Sequence, residues 1–280
     1  MDADGTIVTS YSVGGESEEL VITIGEDKYP ATRRAADSRS GLAILQIEAP
    51  EPLPFLKCGK STDLGVGSPV VSRGFPLDLP LSPRLGLVAG SDLKFPGRYF
   101  AARHLRVNVV VQRGQGGSPI LDLQGNLVGV VISTVENGSG AFALPVEAAK
   151  KVLHDLEQHG RVRQGYLGAD VRRTEAREFG SSARVRNVRI DGPGHRGGLR
   201  AGDVLLQVGD RKISNPEDVI DASFYITAGE PLKVEIARAG NQLDLIVTPS
   251  DPPTGEATSV EKEAPAVFGS NGPMGLGVGR

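Results

Sequence analysis

The chain has a single cysteine, Cys58, which rules out an intramolecular disulfide. Its four histidines, His104, His154, His159 and His195, form no HExxH, and no CxxC exists, so a structural zinc site is not expected. Nowhere does an apolar run approach the ~18 residues that would read as a membrane span. Residues 1–10 lack a basic segment followed by an apolar core, so no signal peptide is read there. Charge of one sign is also lacking. The net charge of −3 gives no reason to expect nucleic acid as a partner. Aromatic residues are scarce, at 5%.

What the chain does have is glycine, 37 residues, and proline, 19. That suits many turns between short strands. Its 280 residues allow two domains at about 100–200 residues each.

The strand pattern is clear in the first half. Residues 5–13 (GTIVTSYSV), 20–25 (LVITIG), 42–48 (LAILQIE), 69–74 (PVVSRG), 84–90 (RLGLVAG), 105–112 (LRVNVVVQ), 119–123 and 126–134 read as strands. Short strands at this spacing favour a sandwich or barrel over alternating β-α units. The period then changes. Val146, Ala149, Val152, Leu153 and Leu156 recur at helical spacing over 146–159, and Gly160 follows as a stop.

A second unit follows. It has short strands and two helix candidates, 195–203 and 216–227. Asn215 can cap the latter, with Pro216 at its first position. Residues 251–280 are rich in Pro, Gly, Ser, Thr and Glu and poor in large apolar side chains, so that tail is expected to be disordered. Asn137-Gly-Ser139 fits a glycosylation triplet of the kind that arises by chance.

Four segments carry a resemblance. Gly114-Gln115-Gly116-Gly117-Ser118-Pro119-Ile120-Leu121 precedes a hydrophobic strand. Ala141-Phe-Ala-Leu-Pro145 leads into the helix. Asp37-Ser-Arg-Ser-Gly-Leu-Ala-Ile-Leu45 and Ile7-Val-Thr-Ser-Tyr-Ser-Val13 lie upstream. In this order they resemble the HtrA-type, trypsin-like serine proteases. Their counterparts there read G-N-S-G-G-P-L, F-A-I-P, D-x-x-T-D-L-A-V-L and I-L-T-N-A-H-V. The resemblance implies a mainly β chain, a trypsin-like double β-barrel followed by a PDZ domain, itself β-rich with two helices. It divides the chain into a protease-like domain at 1–155 without its first strands, a linker at 156–164, a PDZ domain at 165–250 and the tail. A barrel without its first strands would expose an edge.

Carried over residue by residue, the resemblance puts Ser12 at the histidine position, Gly41 at the aspartate position and Gly116 at the serine position. Triad chemistry needs a nucleophile, a base and a group that orients the base. Here all three are replaced, so no catalytic residue is expected. Gly114 and Gly116 correspond to the oxyanion loop, either able to hold a carbonyl or carboxylate or retained as a structural turn. Ser118 is expected to point away from the cleft, and His104 to be a half-exposed strand residue and no base for it.

In the second unit, Gly165-Tyr-Leu-Gly168 resembles the Y-L-G-V carboxylate-binding loop of bacterial-type PDZ domains. Gly198-Leu-Arg-Ala-Gly-Asp-Val-Leu205 resembles A-G-L-x-x-G-D-V-I. Strand addition is the physical logic of such a site. Tyr166, Leu167, Gly168 and Ala169 would then form the loop and strand, with Val219, Ser223 and Ile226 on the facing helix. Val219 and Ile226 have an equally good reading as core, and Leu167 can be core with its backbone still binding.

The expected function is a catalytically inactive homologue that binds peptides or protein C-termini as a scaffold, chaperone-like factor or regulator. The alternatives are an active HtrA-type serine endopeptidase in protein quality control, and a purely structural module. Unfolded or C-terminal protein segments are the expected partners, with active HtrA relatives and self-association left open. No metal or other cofactor is expected. An extracytoplasmic, periplasmic location is implied by the resemblance alone.

Overall fold

The computed structural model describes residues 3–95, 98–112, 114–135 and 139–253. The glycosylation triplet lies partly, and the tail almost wholly, outside these residues. Mainly β, the chain folds as a trypsin-like unit followed by a PDZ unit.

The first four strands are β1 (Thr6–Ser10), β2 (Val21–Ile24), β3 (Asp27–Asp37) and β4 (Leu42–Ile47), with a single helical turn α1 (Tyr11–Gly14) after β1. They form an open sheet in the order β1-β4-β3-β2. The sequence reading ran β1 on to residue 13. The chain instead turns at Tyr11, whose N–H donates to Gly41 O at 2.6 Å. It also missed β3, because DKYPATRRAAD carries no apolar run and most of it is exposed.

Next come β5 (Pro69–Gly74), β6 (Ser82–Phe95), β7 (Arg98–Val107), β8 (Pro119–Leu121), β9 (Leu127–Thr134) and β10 (Ala141–Pro145). These close into a barrel, β10-β7-β6-β5-β8-β9. Val70, Val88, Val107, Ile120, Val128 and Val131 fill it. Ala141–Pro145 leads directly into the next helix, as read, and is itself a strand: all five residues are buried and pair with β9, and Ala141–Ala143 pair with β7 as well. The pairing of 105–112 was also misplaced, since β7 ends at Val107.

Helix α2 (Val146–His159) runs into the segment read as linker. Its apolar face buries Val146, Ala149, Val152 and Leu156, and Gly160 ends it at φ 68° with its N–H on Leu156 O. The following residues are tied down. Asp155 Oδ2, on the buried side of α2, accepts from Arg163 N at 2.7 Å and from Lys151 Nζ. Burial pulls the Lys151 ammonium down from its ordinary range.

The PDZ unit contains β11 (Ala169–Glu178), β12 (Ser181–Val188), α3 (Pro193–Arg196), β13 (Val204–Val208), β14 (Arg211–Lys212), α4 (Pro216–Tyr225), β15 (Leu232–Arg238) and β16 (Asn241–Val247). The sheet runs β11-β12-β13-β15-β16, so β11 is an edge strand. Of the helix expected at 195–203, only the turn α3 forms, and it starts earlier. The glycine pairs that follow carry little helix propensity, and Gly198 and Gly202 sit at positive φ. α4 begins with a capping box. Asp218 N–H donates to Asn215 Oδ1 at 3.1 Å, and Asn215 N–H donates to Asp218 Oδ2 at 3.1 Å.

Candidate functional site

Two loops matter, one in each unit. In the trypsin-like unit, Ser12 sits on the exposed turn α1, Gly41 in the turn between β3 and β4, and Gly116 in the loop before β8. Folding brings them together. A Cβ at Gly116 would lie 2.8 Å from Ser10 Oγ and 3.4 Å from Ser12 Oγ. Those two hydroxyls are 3.0 Å apart and share a hydrogen bond. Gly41 is linked to the same turn through Tyr11 N–H. The three positions therefore form one centre, furnished with hydroxyls and glycines. Nothing there can act as a base near neutral pH.

Position 41 has no room for a side chain. Gly41 has φ +76°, and a Cβ on it would fall 2.2 Å from Ile132 Cγ2. The Ile132 side chain occupies the volume that a side chain at position 41 would need.

The loop's backbone is well held. Buried Gln115 accepts from Gln112 N at 2.9 Å through Oε1, and its own N–H donates to Gln112 O at 3.2 Å. Gly117 N–H donates to Val131 O at 2.8 Å. Gly114 and Gly117 take φ near +88° and +82°, which glycine alone adopts readily. Among the described residues, the N–H groups of Gly114 and Gly116 donate no hydrogen bond.

Ser118 and His104 do not meet. Ser118 is buried with its Oγ against Gly74 on β5. His104 is on β7, separated from β8 by intervening strands whichever way round the barrel one goes. Contrary to expectation, His104 is only 2% exposed. Its Nδ1 lies 2.8 Å from Ala102 O, and its ring stacks on Phe100 with centroids 4.1 Å apart.

In the PDZ unit, Leu167 O accepts from Gly194 N–H at 2.7 Å, and Gly168 O from Arg189 N–H at 2.8 Å. Tyr166 exchanges backbone hydrogen bonds with Ser250. The loop carbonyls are thus engaged inward, while the N–H groups of Leu167 and Gly168 donate to none of the described residues. Gly168 has φ +72°. Ala169 opens the edge strand β11 beside them. On α4, Val219 and Ser223 are partly exposed on one face. Ile226 takes the core alternative. It lies just past the end of α4, 7% exposed, in one core cluster with Leu167. An exposed ion pair, Arg173 Nη2 to Glu217 Oε2 at 2.6 Å, spans from β11 to α4. Sequence reasoning missed it, because nothing in the chain marks two residues 44 apart as neighbours.

The other side of α4 docks on the barrel. Asp221, nearly buried, accepts from Arg103 N at 2.7 Å and from Arg211 Nη1 at 3.0 Å. Arg103 Nη2 pairs with Asp218 Oδ1 at 2.5 Å. The Arg211 guanidinium stacks on the Tyr225 ring at 3.4 Å, and burial pushes the Tyr225 phenol up despite that neighbouring cation. Phe224 is fully buried in a cluster with Ala102, Leu144, Val152 and Leu156.

Residues 1–130 match the trypsin-like peptidase domain family, and residues 165–248 match the PDZ domain family. In this order the two matches are similar to those of HtrA-type proteins. The "Probable periplasmic serine endoprotease DegP-like" of Ectopseudomonas mendocina is 29% identical over 260 residues, covering 89% of this chain and 54% of that protein. The mitochondrial serine protease HTRA2 of Bos taurus is 29% identical over 272 residues, covering 88% and 58%. The chain thus spans little more than half the length of these curated relatives. Among solved structures, the HtrA-type protease AlgW with tripeptide aligns at TM-score 0.69 with 23% identity, covering 91% of this chain and 89% of that one. A serine endoprotease from Yersinia pestis aligns at TM-score 0.59 with 22% identity, covering 90% and 87%. No helix among the described residues is long and apolar enough to cross a membrane.

Proposed function

We propose that this HtrA-type chain binds peptide segments or protein C-termini through its PDZ unit, and that its trypsin-like unit does not cleave them. The observation that carries the reading is the centre formed by Ser12, Gly41 and Gly116. It has no base and no nucleophile oriented by one, and Ile132 fills the volume beside Gly41. Loss of a single triad member already removes most triad catalysis. For binding, the support is the pair of N–H groups at Leu167 and Gly168 beside the edge strand β11. A carboxylate seated there would be followed by a strand paired along Ala169 to Arg173. Unfolded chains and active relatives of the same type are the partner classes we propose, in an extracytoplasmic compartment such as the periplasm named for several relatives.

The names of the relatives favour a second reading, an active serine endoprotease in protein quality control. The two part in one experiment. Purified chain and its Ser118→Ala variant are incubated with casein for hours, and fluorescent peptides with a free or an amidated C-terminus are titrated in parallel. No cleavage by either protein, with tighter binding of the free acid, is the expected result. Robust cleavage that Ser118→Ala abolishes would establish the second reading.

A further inference from the structure

A cavity of about 270 Å³ lies between the two units. Its apolar floor belongs to the trypsin-like unit and comes from Val88, Leu105 and Pro145, all buried. Ser61 and Thr62 add hydroxyls to the lining. The PDZ unit supplies Arg211 and Tyr225, and Arg103 of β7 brings a second guanidinium. The volume is nearly twice the roughly 150 Å³ that admits a benzene ring.

The two guanidiniums are anchored and still have donors to spare. Each carries five N–H groups. Arg103 gives Nη2 to Asp218 Oδ1 at 2.5 Å and Nη1 to Ser91 O at 3.4 Å. Arg211 gives Nη1 to Asp221 Oδ2 at 3.0 Å, and its plane lies over the Tyr225 ring. Burial keeps that phenol protonated, so it adds no negative charge. Three carboxylates stand one hydrogen bond behind lining residues without lining the cavity themselves. They are Asp218, Asp221 and Glu147, the last accepting from Ser61 N–H at 2.9 Å and from its Oγ at 2.5 Å. They limit what the guanidiniums can attract, because a second negative charge on a ligand would be repelled by all three.

We infer that this cavity binds a small monocarboxylic acid with a compact apolar body, its carboxylate on Arg103 and Arg211 and its body over Val88 and Leu105. Both parts of the ligand follow from the lining. Water alone would satisfy the guanidiniums but leave the apolar floor wetted. A hydrocarbon would cover the floor but strip the guanidiniums of water. A phosphate would bring the second charge that the neighbouring carboxylates oppose. The volume suits one ring and a short chain, which excludes the two or three residues of a peptide end. Arg211 and Tyr225 come from one unit, Val88 and Leu105 from the other, so the bound acid also ties the units together. The site is separate from the PDZ loop at Leu167 and Gly168, and it stands whether or not the chain cleaves peptides.

The test uses the full chain and 3-phenylpropionate in titration calorimetry, with 3-phenylpropanamide and phenyl phosphate as controls of charge. The expected result is saturable binding of the acid, about tenfold tighter than that of the amide or the phosphate. The PDZ loop could take the same acid, so variants at the cavity decide where it sits. Ser91 and Thr62 are exposed lining residues, so Ser91→Phe and Thr62→Trp fill the cavity from its edge and retain the fold. Each should weaken the acid about tenfold. Saturation should also slow limited proteolysis between the units in the parent chain, and not in the variants. A Kd above about 1 mM for the acid would overturn the inference. So would equal or tighter binding of the amide or the phosphate, or binding that both variants leave unchanged.

Discussion

The loop at Gly114–Ser118 and the loop at Gly165–Ala169 are built alike. Each uses a glycine at positive φ, each turns carbonyls inward, and each leaves two N–H groups without an acceptor among the described residues. Their surroundings differ. Around the first, Ile132 lies against Gly41 and Ser10 against Gly116. Beside the second lies an edge strand. Two loops can share a backbone conformation in different surroundings, because a loop's conformation is fixed by hydrogen bonds and packing within and beneath it.

The sharpest way to probe this contrast is to put a carboxylate back. Gly41→Asp should cost about 4 kcal/mol in chemical denaturation, from backbone strain at φ +76° and overpacking on Ile132. Adding Ile132→Ala should recover part of that loss. If Gly41→Asp is neutral, the first centre is not closed, and the contrast fails.

The second largest effect concerns what holds the PDZ groove in place. Asp221→Ala leaves Arg103 N–H without its acceptor and Arg211 without its partner, at a cost of about 3 kcal/mol. Limited proteolysis between the units should become faster. Next comes a matched pair of glycine replacements. Gly168→Val and Gly114→Ala each force a side chain into positive φ and should each cost about 1–2 kcal/mol. Only Gly168→Val should lower affinity for free-acid peptides, by about tenfold. Equal loss from both would mean that the loops share one ligand.

Smaller still is Glu217→Ala. It breaks an exposed ion pair worth under about 1 kcal/mol and should change peptide affinity no more than about twofold. The smallest effect is a pH dependence. The hydrogen-bonded Arg163 guanidinium holds the Asp251 carboxyl below its ordinary value of 3.8. That contribution is present above the unfolded value and is lost as pH falls through the lower folded one, so its window is acidic. Because Asp251 is 39% exposed, solvent screens the pair. Acid titrations of the chain and of Asp251→Asn should therefore differ only slightly.

Much of the fold could be read from the residues, for identifiable reasons. β4, β5, β9 and α2 have dense apolar patterns, and their ends carry glycine, proline or caps. β3 could not be read, since its pairing comes from position in the sheet and not from its polar side chains. β10 lay in a segment read only as the lead-in to the helix. Motif order named Ser12, Gly41 and Gly116 together, and the fold puts them near one another. No motif could reveal that Ile132, from a strand of the other sheet, fills the gap. His104 was read as half-exposed because nothing in the sequence tells that its ring stacks on Phe100 inside the fold. Ile226 looked like a groove residue because helical spacing was extended past Tyr225, where α4 stops.

Phe224 belongs by sequence to the PDZ unit and by burial to the core shared with α2 and β10. An excised PDZ fragment would carry that ring into water, and the remaining fragment would keep a hole of matching shape. The natural seam in the chain near residue 160 is therefore not a seam in the solid. Transplanting this PDZ unit onto another protein would require redesigning α4, so the two halves can be expected to change together under selection, not to be exchanged as cassettes.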